Sequence, residues 1–153
     1  MRLTLGYRGT RYAGWAVQSP SRTRGRPTLQ ATLETALSTA LDHPVRVTAA
    51  GRTDAGVHAD AQVVSFDTAS HITPAGLKRV LERWVPDDLW VIEVADVPAT
   101  FDARRSAIRR WYRYAACPRR VSAAVALIPL VPVGPDGGSG AMRSAGFLTC
   151  VGA

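Results

Sequence analysis

The chain has 153 residues, 46% of them hydrophobic and 20% charged, which suits a soluble globular domain with a real core. No apolar run is long enough to span a bilayer, and the N-terminus lacks the charged, apolar, small-residue order of a signal peptide. Two cysteines, Cys117 and Cys150, exclude a disulfide framework or a cysteine zinc set, so a cytoplasmic protein with reduced thiols is expected. Along the chain, RLTLGY (2–7) alternates and predicts a strand. Residues 19–27, SPSRTRGRP, predict a polar loop. Leu29, Leu33, Ala36, Leu37, Ala40 and Leu41 recur at helical spacing. VRVTAA (45–50) and AQVVSF (61–66) predict two strands. Thr73-Pro74 reads as an N-cap with Pro at the first helical position, and Leu77, Val80, Leu81 and Trp84 form the stripe of that helix. LWVIEVADV (89–97) predicts a strand with Val91, Glu93 and Ala95 on one face and Ile92 and Val94 on the other. RRWYRYAAC (109–117) predicts a fifth strand.

The order β-α-β-β-α-β predicts an α+β, ferredoxin-like antiparallel sheet with helices on one face. The other face is then open, and many RNA-binding modules use such a face. Residues 121–153 differ in character, with two charges, an apolar run without helical period, and a linker-like GPDGGSG.

The net charge is +7, and 18 of the 19 basic residues are arginine. Six arginines and no acid fall in residues 1–26; seven arginines against Asp102 fall in residues 101–120. Two basic blocks suit a groove for a polyanion, as guanidinium matches phosphate and stacks on bases. An arginine-biased, solvated surface would give the same composition.

Chemistry concentrates in GRTDAGVH (51–58), which is longer than a tight hairpin requires. Taken alone, an Asp on such a turn is a turn former. Three features point instead to a site. Arg52, two residues away, is expected to hold the Asp54 carboxylate ionised, Gly51 and Gly56 permit close backbone approach, and the loop rides on a sheet. His58 has no partner at metal-ligand spacing, so a hydrogen bond in the loop is expected and a metal site is not. Trp111, Tyr112 and Tyr114 interleave with Arg109, Arg110 and Arg113. Such a stretch either stacks on bases and grips phosphates or buries its rings in the core.

GRTDAGVHADAQVVSF (51–66) resembles the signature loop of the tRNA pseudouridine synthase A (TruA-type) family. YRGTRYAGWAVQ (7–18), TLQATLETAL (28–37), VPDDLWV (85–91) and FDARRSAIRRWYRY (101–114) resemble further family stretches in the same order. The resemblance covers residues 2–118. It implies the first half of the pseudouridine synthase fold, with an N-terminal domain over 1–118 and the incomplete start of a second half over 119–153. The implied activity is isomerisation of uridine to pseudouridine at positions 38, 39 and 40 of the tRNA anticodon stem-loop. No cofactor or metal is needed, tRNA is the partner, and full-length members form homodimers. The family's essential Asp falls on Asp54, which attacks the ribose or removes a proton from it. Arg52 supports it, Tyr112 stacks on the flipped base, and Arg104, Arg110 and His58 complete the expected substrate-binding set.

The sequence departs from the family at Arg8, where members carry Asp, and at Arg105, where they carry Phe. Members are also longer, and their second half supplies a basic partner for the catalytic Asp. The competing expectation is therefore a truncated, inactive copy that only binds RNA. A plain RNA-binding sheet gives no reason for GRTDAGVH.

Overall fold

The computed structural model describes residues 1–113. Strand β1 (Arg2–Tyr7) is central, because Leu3, Leu5 and Tyr7 are fully buried on one face. It pairs antiparallel with β3 (Ala59–Ser65) on one side and β4 (Leu89–Ala95) on the other. The short β2 (Thr48–Ala49) pairs antiparallel with β3, giving the order β2-β3-β1-β4. This is the α+β, ferredoxin-like arrangement that the element order predicts.

Helices α2 (Leu29–Leu41) and α3 (Pro74–Trp84) follow β1 and β3. Each starts on a threonine: Thr28 Oγ1 accepts from Ala31 N at 3.4 Å, and Thr73 Oγ1 accepts from Gly76 N at 3.2 Å. Asp42, in the left-handed region at φ 57°, ends α2. Leu29, Leu33 and Leu37 of α2 and Leu77 and Leu81 of α3 pack with Leu3, Leu5, Tyr7, Val64 and Val91 in one core. Truncating a fully buried leucine of this kind costs about 2–5 kcal/mol.

Several expectations need correction. The polar loop 19–27 contains a short helix, α1 (Pro20–Thr23). The strand over 45–50 shrinks to two residues because α2 takes its donors: Val45 N bonds to Ser38 Oγ, and Val47 N bonds to Glu34 Oε1. Trp84 is 56% exposed, and Val85 packs against the core at that end of α3 instead. In β4 the pairing jumps from Thr4↔Glu93 to Leu5↔Val91, so Ile92 is an extra residue. That bulge turns Val91 and Val94 to the same core, where strict alternation had separated them. Arg109–Arg113 is not a strand, since Arg110 reaches the sheet through its side chain and not through its backbone. The rest of that predicted strand, Tyr114, both cysteines and the expected domain 119–153 lie outside the described residues.

The second face of the sheet is also not simply open. Ala103 packs on Val63 and Ala50, with Phe101 and Ala107 around it, and Ala103 N donates to Ser65 Oγ at 3.0 Å. Asp102 Oδ1 accepts from Arg104 N and Arg105 N at 2.9 and 2.8 Å, which fixes this turn. The segment therefore carries its arginines across the sheet toward the GRTDAGVH loop.

Candidate active site

The loop leaves the sheet at Ala50, whose N–H still bonds to Val63 O at 2.8 Å. Gln62 Nε2 donates to Gly51 O from β3. Thr53 is buried, with its Oγ1 2.9 Å from the Tyr7 hydroxyl and its carbonyl accepting from Trp15 N at 2.8 Å. Val57 N donates to Asp54 O at 3.2 Å and closes a turn in which Gly56 adopts φ +81°. Arg52 and Asp54, on either side of the inward Thr53, are exposed. No ion pair joins them among the described residues.

The loop is braced from the N-terminal side. A Cβ on Gly9 would lie 1.9 Å from Val57 O, and Gly14, at φ +105°, backs onto Thr53 O. Both contacts need glycine because main chain meets main chain. Asp88 in turn fixes this brace: it accepts from Tyr12 Oη and Arg11 Nε, both at 2.7 Å, and its carbonyl accepts from Arg8 N at 2.8 Å. Burial acts to raise the Asp88 carboxyl, but the bonds from Arg11 and Tyr12 outweigh it and hold it below the ordinary carboxylate range. Burial, and then the Asp88 bond, push Tyr12 up to about 12.

Beside the loop lies a cleft of about 460 Å³. It is lined by Trp15 and Gln30, by the edge from Val47 to Arg52, and by Arg104, Arg110 and Tyr112. No carboxylate lines it among the described residues. Arg110 ties the cleft together, with Nε donating to Ala50 O at 2.6 Å and Nη2 to Arg104 O at 3.0 Å. Tyr112 is 47% exposed and Trp111 58%, so neither ring is core. Buried Glu34 fixes two of the lining residues: Oε1 accepts from Gln30 Nε2 at 2.9 Å and from Val47 N at 3.1 Å. Three guanidinium groups and a phenol ring, with no acid among them, suit a phosphate-bearing ligand with a planar group.

Of the residues singled out in the sequence, Arg52, Arg104, Arg110 and Tyr112 thus meet in one cleft. Asp54 stands on the same loop but outside the lining. His58 also lies outside it, and no hydrogen bond reaches its ring among the described residues. Its burial, and then the charge of Arg8, lower its pKa against an opposing pull from Asp60. Residue type alone does not single out Trp15, Gln30 and Thr48 of the lining, or Tyr7 and Thr53 beneath the loop. Gln62 carried a signal, because it is a polar residue inside an otherwise apolar strand run.

No helix of the described residues is long and apolar enough to cross a membrane, and no cluster of metal-ligating side chains occurs among them. A model of the tRNA pseudouridine synthase family matches residues 5–104. The tRNA pseudouridine synthase A of Methylococcus capsulatus is 46% identical over 116 residues, covering 74% of this chain and 41% of the relative. That of Moorella thermoacetica is 40% identical over 121 residues, covering 79% and 48%. That of Corynebacterium glutamicum is 46% identical over 122 residues, covering 74% and 41%. The chain spans about half the length of the curated relatives it matches. The matched region holds the end of β1, the other three described strands, the brace and the whole GRTDAGVH loop, and the chain belongs to the tRNA pseudouridine synthase family.

Proposed function

We propose that this chain supplies the catalytic loop and one basic wall of a tRNA pseudouridine synthase. The observation that carries the reading is the inward Thr53, which leaves Arg52 and Asp54 exposed beside an arginine-lined cleft with no carboxylate among the described residues. The substrate is uridine in the tRNA anticodon stem-loop, at positions 38, 39 and 40. The reaction breaks the bond from ribose C1′ to uracil N1, forms one from C1′ to C5, gives the C5 proton to water and leaves N1 to take one proton from solvent. Atoms and electrons balance without a cofactor. Asp54 acts on the ribose, by attack or by taking a proton from it, as its carboxylate is exposed on a loop held by main-chain bonds. Arg52 helps to hold the extruded nucleotide, and Tyr112 stacks on the flipped base. Arg104 and Arg110 face the phosphates, and His58 lies at the periphery of the substrate site.

Residues 1–118 form the catalytic-loop domain in this reading, and 119–153 begin the second half present in the longer relatives. The working enzyme is a cytoplasmic homodimer.

The test uses unmodified tRNA labelled with tritium at uracil C5. Release is expected, and Asp54→Ala should lower it by on the order of 10³-fold or more, the scale of losing a nucleophile. Undiminished release by Asp54→Ala removes the assignment. Salt-dependent binding of tRNA with no release by the unaltered chain would leave an RNA-binding role and exclude catalysis by this chain alone.

A further inference from the structure

Resting on that reading, we infer that Tyr7, Thr53 and Gln62 are positioning residues, a buried polar latch that sets where Arg52 and Asp54 stand. Tyr7 and Gln62 are fully buried, and Thr53 is 7% exposed. Tyr7 comes from the central strand and Gln62 from its neighbour β3, so both are fixed by the sheet. Their contacts fall on Gly51 O and Thr53 Oγ1, which bracket Arg52 and stop one residue short of Asp54. Trp15 N adds a third tie at Thr53 O, and Trp15 itself packs its ring 5.9 Å from that of Tyr7. The loop is thus held on both sides of Arg52 and immediately before Asp54, and these two are exposed.

The chemistry of Gln62 separates this latch from ordinary packing. Its Oε1 is buried and has no hydrogen-bond partner among the described residues. A leucine at the same place would leave no such orphan, so Gln62 is a costly choice for the core alone. What it provides that leucine cannot is the donor to Gly51 O. Burial also pushes the Tyr7 phenol up to about 12, so Tyr7 keeps its proton throughout the neutral range. The Tyr7–Thr53 pair then has hydroxyls on both sides and can hold in either donor direction.

Two measurements on the chain decide the matter. The first is amide hydrogen exchange in Tyr7→Phe, Thr53→Val and Gln62→Leu. Exchange at the Trp15 amide, which bonds to Thr53 O, is expected to quicken by about tenfold or more in Tyr7→Phe and Thr53→Val, with Leu37 of α2 unchanged. Unchanged Trp15 exchange in both overturns the latch. The second is tritium release under saturating tRNA. All three variants are expected to lose about tenfold in kcat with KM for tRNA within about twofold, since a small misplacement of a reacting group is expensive. Gln62→Leu should do so with no loss of Tm, and Thr53→Ser, which restores the hydroxyl, should recover most of kcat. Wild-type kcat in Tyr7→Phe and Gln62→Leu overturns the latch while Asp54→Ala still tests the catalytic reading. If Asp54→Ala also turns over normally, that reading falls, and the exchange data alone decide whether the latch holds the loop.

Discussion

Two depressions of similar size open on the described residues, about 510 and 460 Å³, and arginine lines both. The larger holds Arg8 and Arg11 together with Asp87 and Asp88. There the Arg11 guanidinium meets the Asp88 carboxylate at 2.7 Å, and its charge is answered within the fold. The smaller holds Arg52, Arg104 and Arg110 and, among the described residues, no acid. Arg110 does spend donors there, but on the neutral carbonyls of Ala50 and Arg104, which satisfy its hydrogen bonds and leave its charge intact. Neither volume nor arginine count separates the two. The charge of the acceptors does: the first region is a brace, and the second keeps guanidinium charge that no described carboxylate answers.

The largest effect that bears on this contrast is expected from the brace. Gly9→Ala drives a methyl group into Val57 O, a main-chain atom that cannot rotate away. A loss of about 1–3 kcal/mol is expected in urea unfolding. Wild-type stability would mean that the N-terminal segment does not support the loop. In the cleft, Arg104→Ala should barely change stability. It should instead reduce the slope of log affinity for tRNA against log salt by about 0.9, one phosphate contact. Arg11→Ala should leave that slope unchanged, and an equal loss from both variants would erase the distinction between the regions. The smallest effect concerns pH. The folded Asp88 titrates below its unfolded value, so its contribution to stability is complete above the ordinary carboxylate pKa and disappears as pH falls through the folded one. Below about pH 4, the unaltered chain should therefore lose Tm more steeply than Asp88→Asn. Parallel curves would show that Asp88 does not hold the brace by its charge.

Much of this fold was legible because local pattern and burial agree. The alternation of Leu3, Leu5 and Tyr7 marks β1, and the Thr73-Pro74 cap marks α3. The β4 bulge was not legible, because Ile92 differs from its neighbours only in its register against Thr4 and Leu5, a property of two strands at once. The shortened β2 failed for a related reason: the donors of Val45 and Val47 go to side chains of α2. In RRWYR, high strand propensity found no backbone partner among the described residues, and aromatic rings expected either to stack or to bury proved exposed. At the site, residue types alone left Asp54 a turn former and Tyr112 either stacked or buried, and the family resemblance singled them out with Arg52. The roles of Tyr7 and Gln62 could not be read from either, because they depend on which loop atoms lie above them.

The ties under the loop also set when it can take shape. Tyr7 and Thr53 are 46 residues apart, and β1 waits for Leu89–Ala95 before its second edge is paired. Such distant closures are slow steps in a folding chain. Of the described strands, the earliest in the chain is thus the one whose pairing waits longest. The loop cannot acquire its final form as an isolated hairpin of β2 and β3, and its geometry becomes a late marker of the finished sheet.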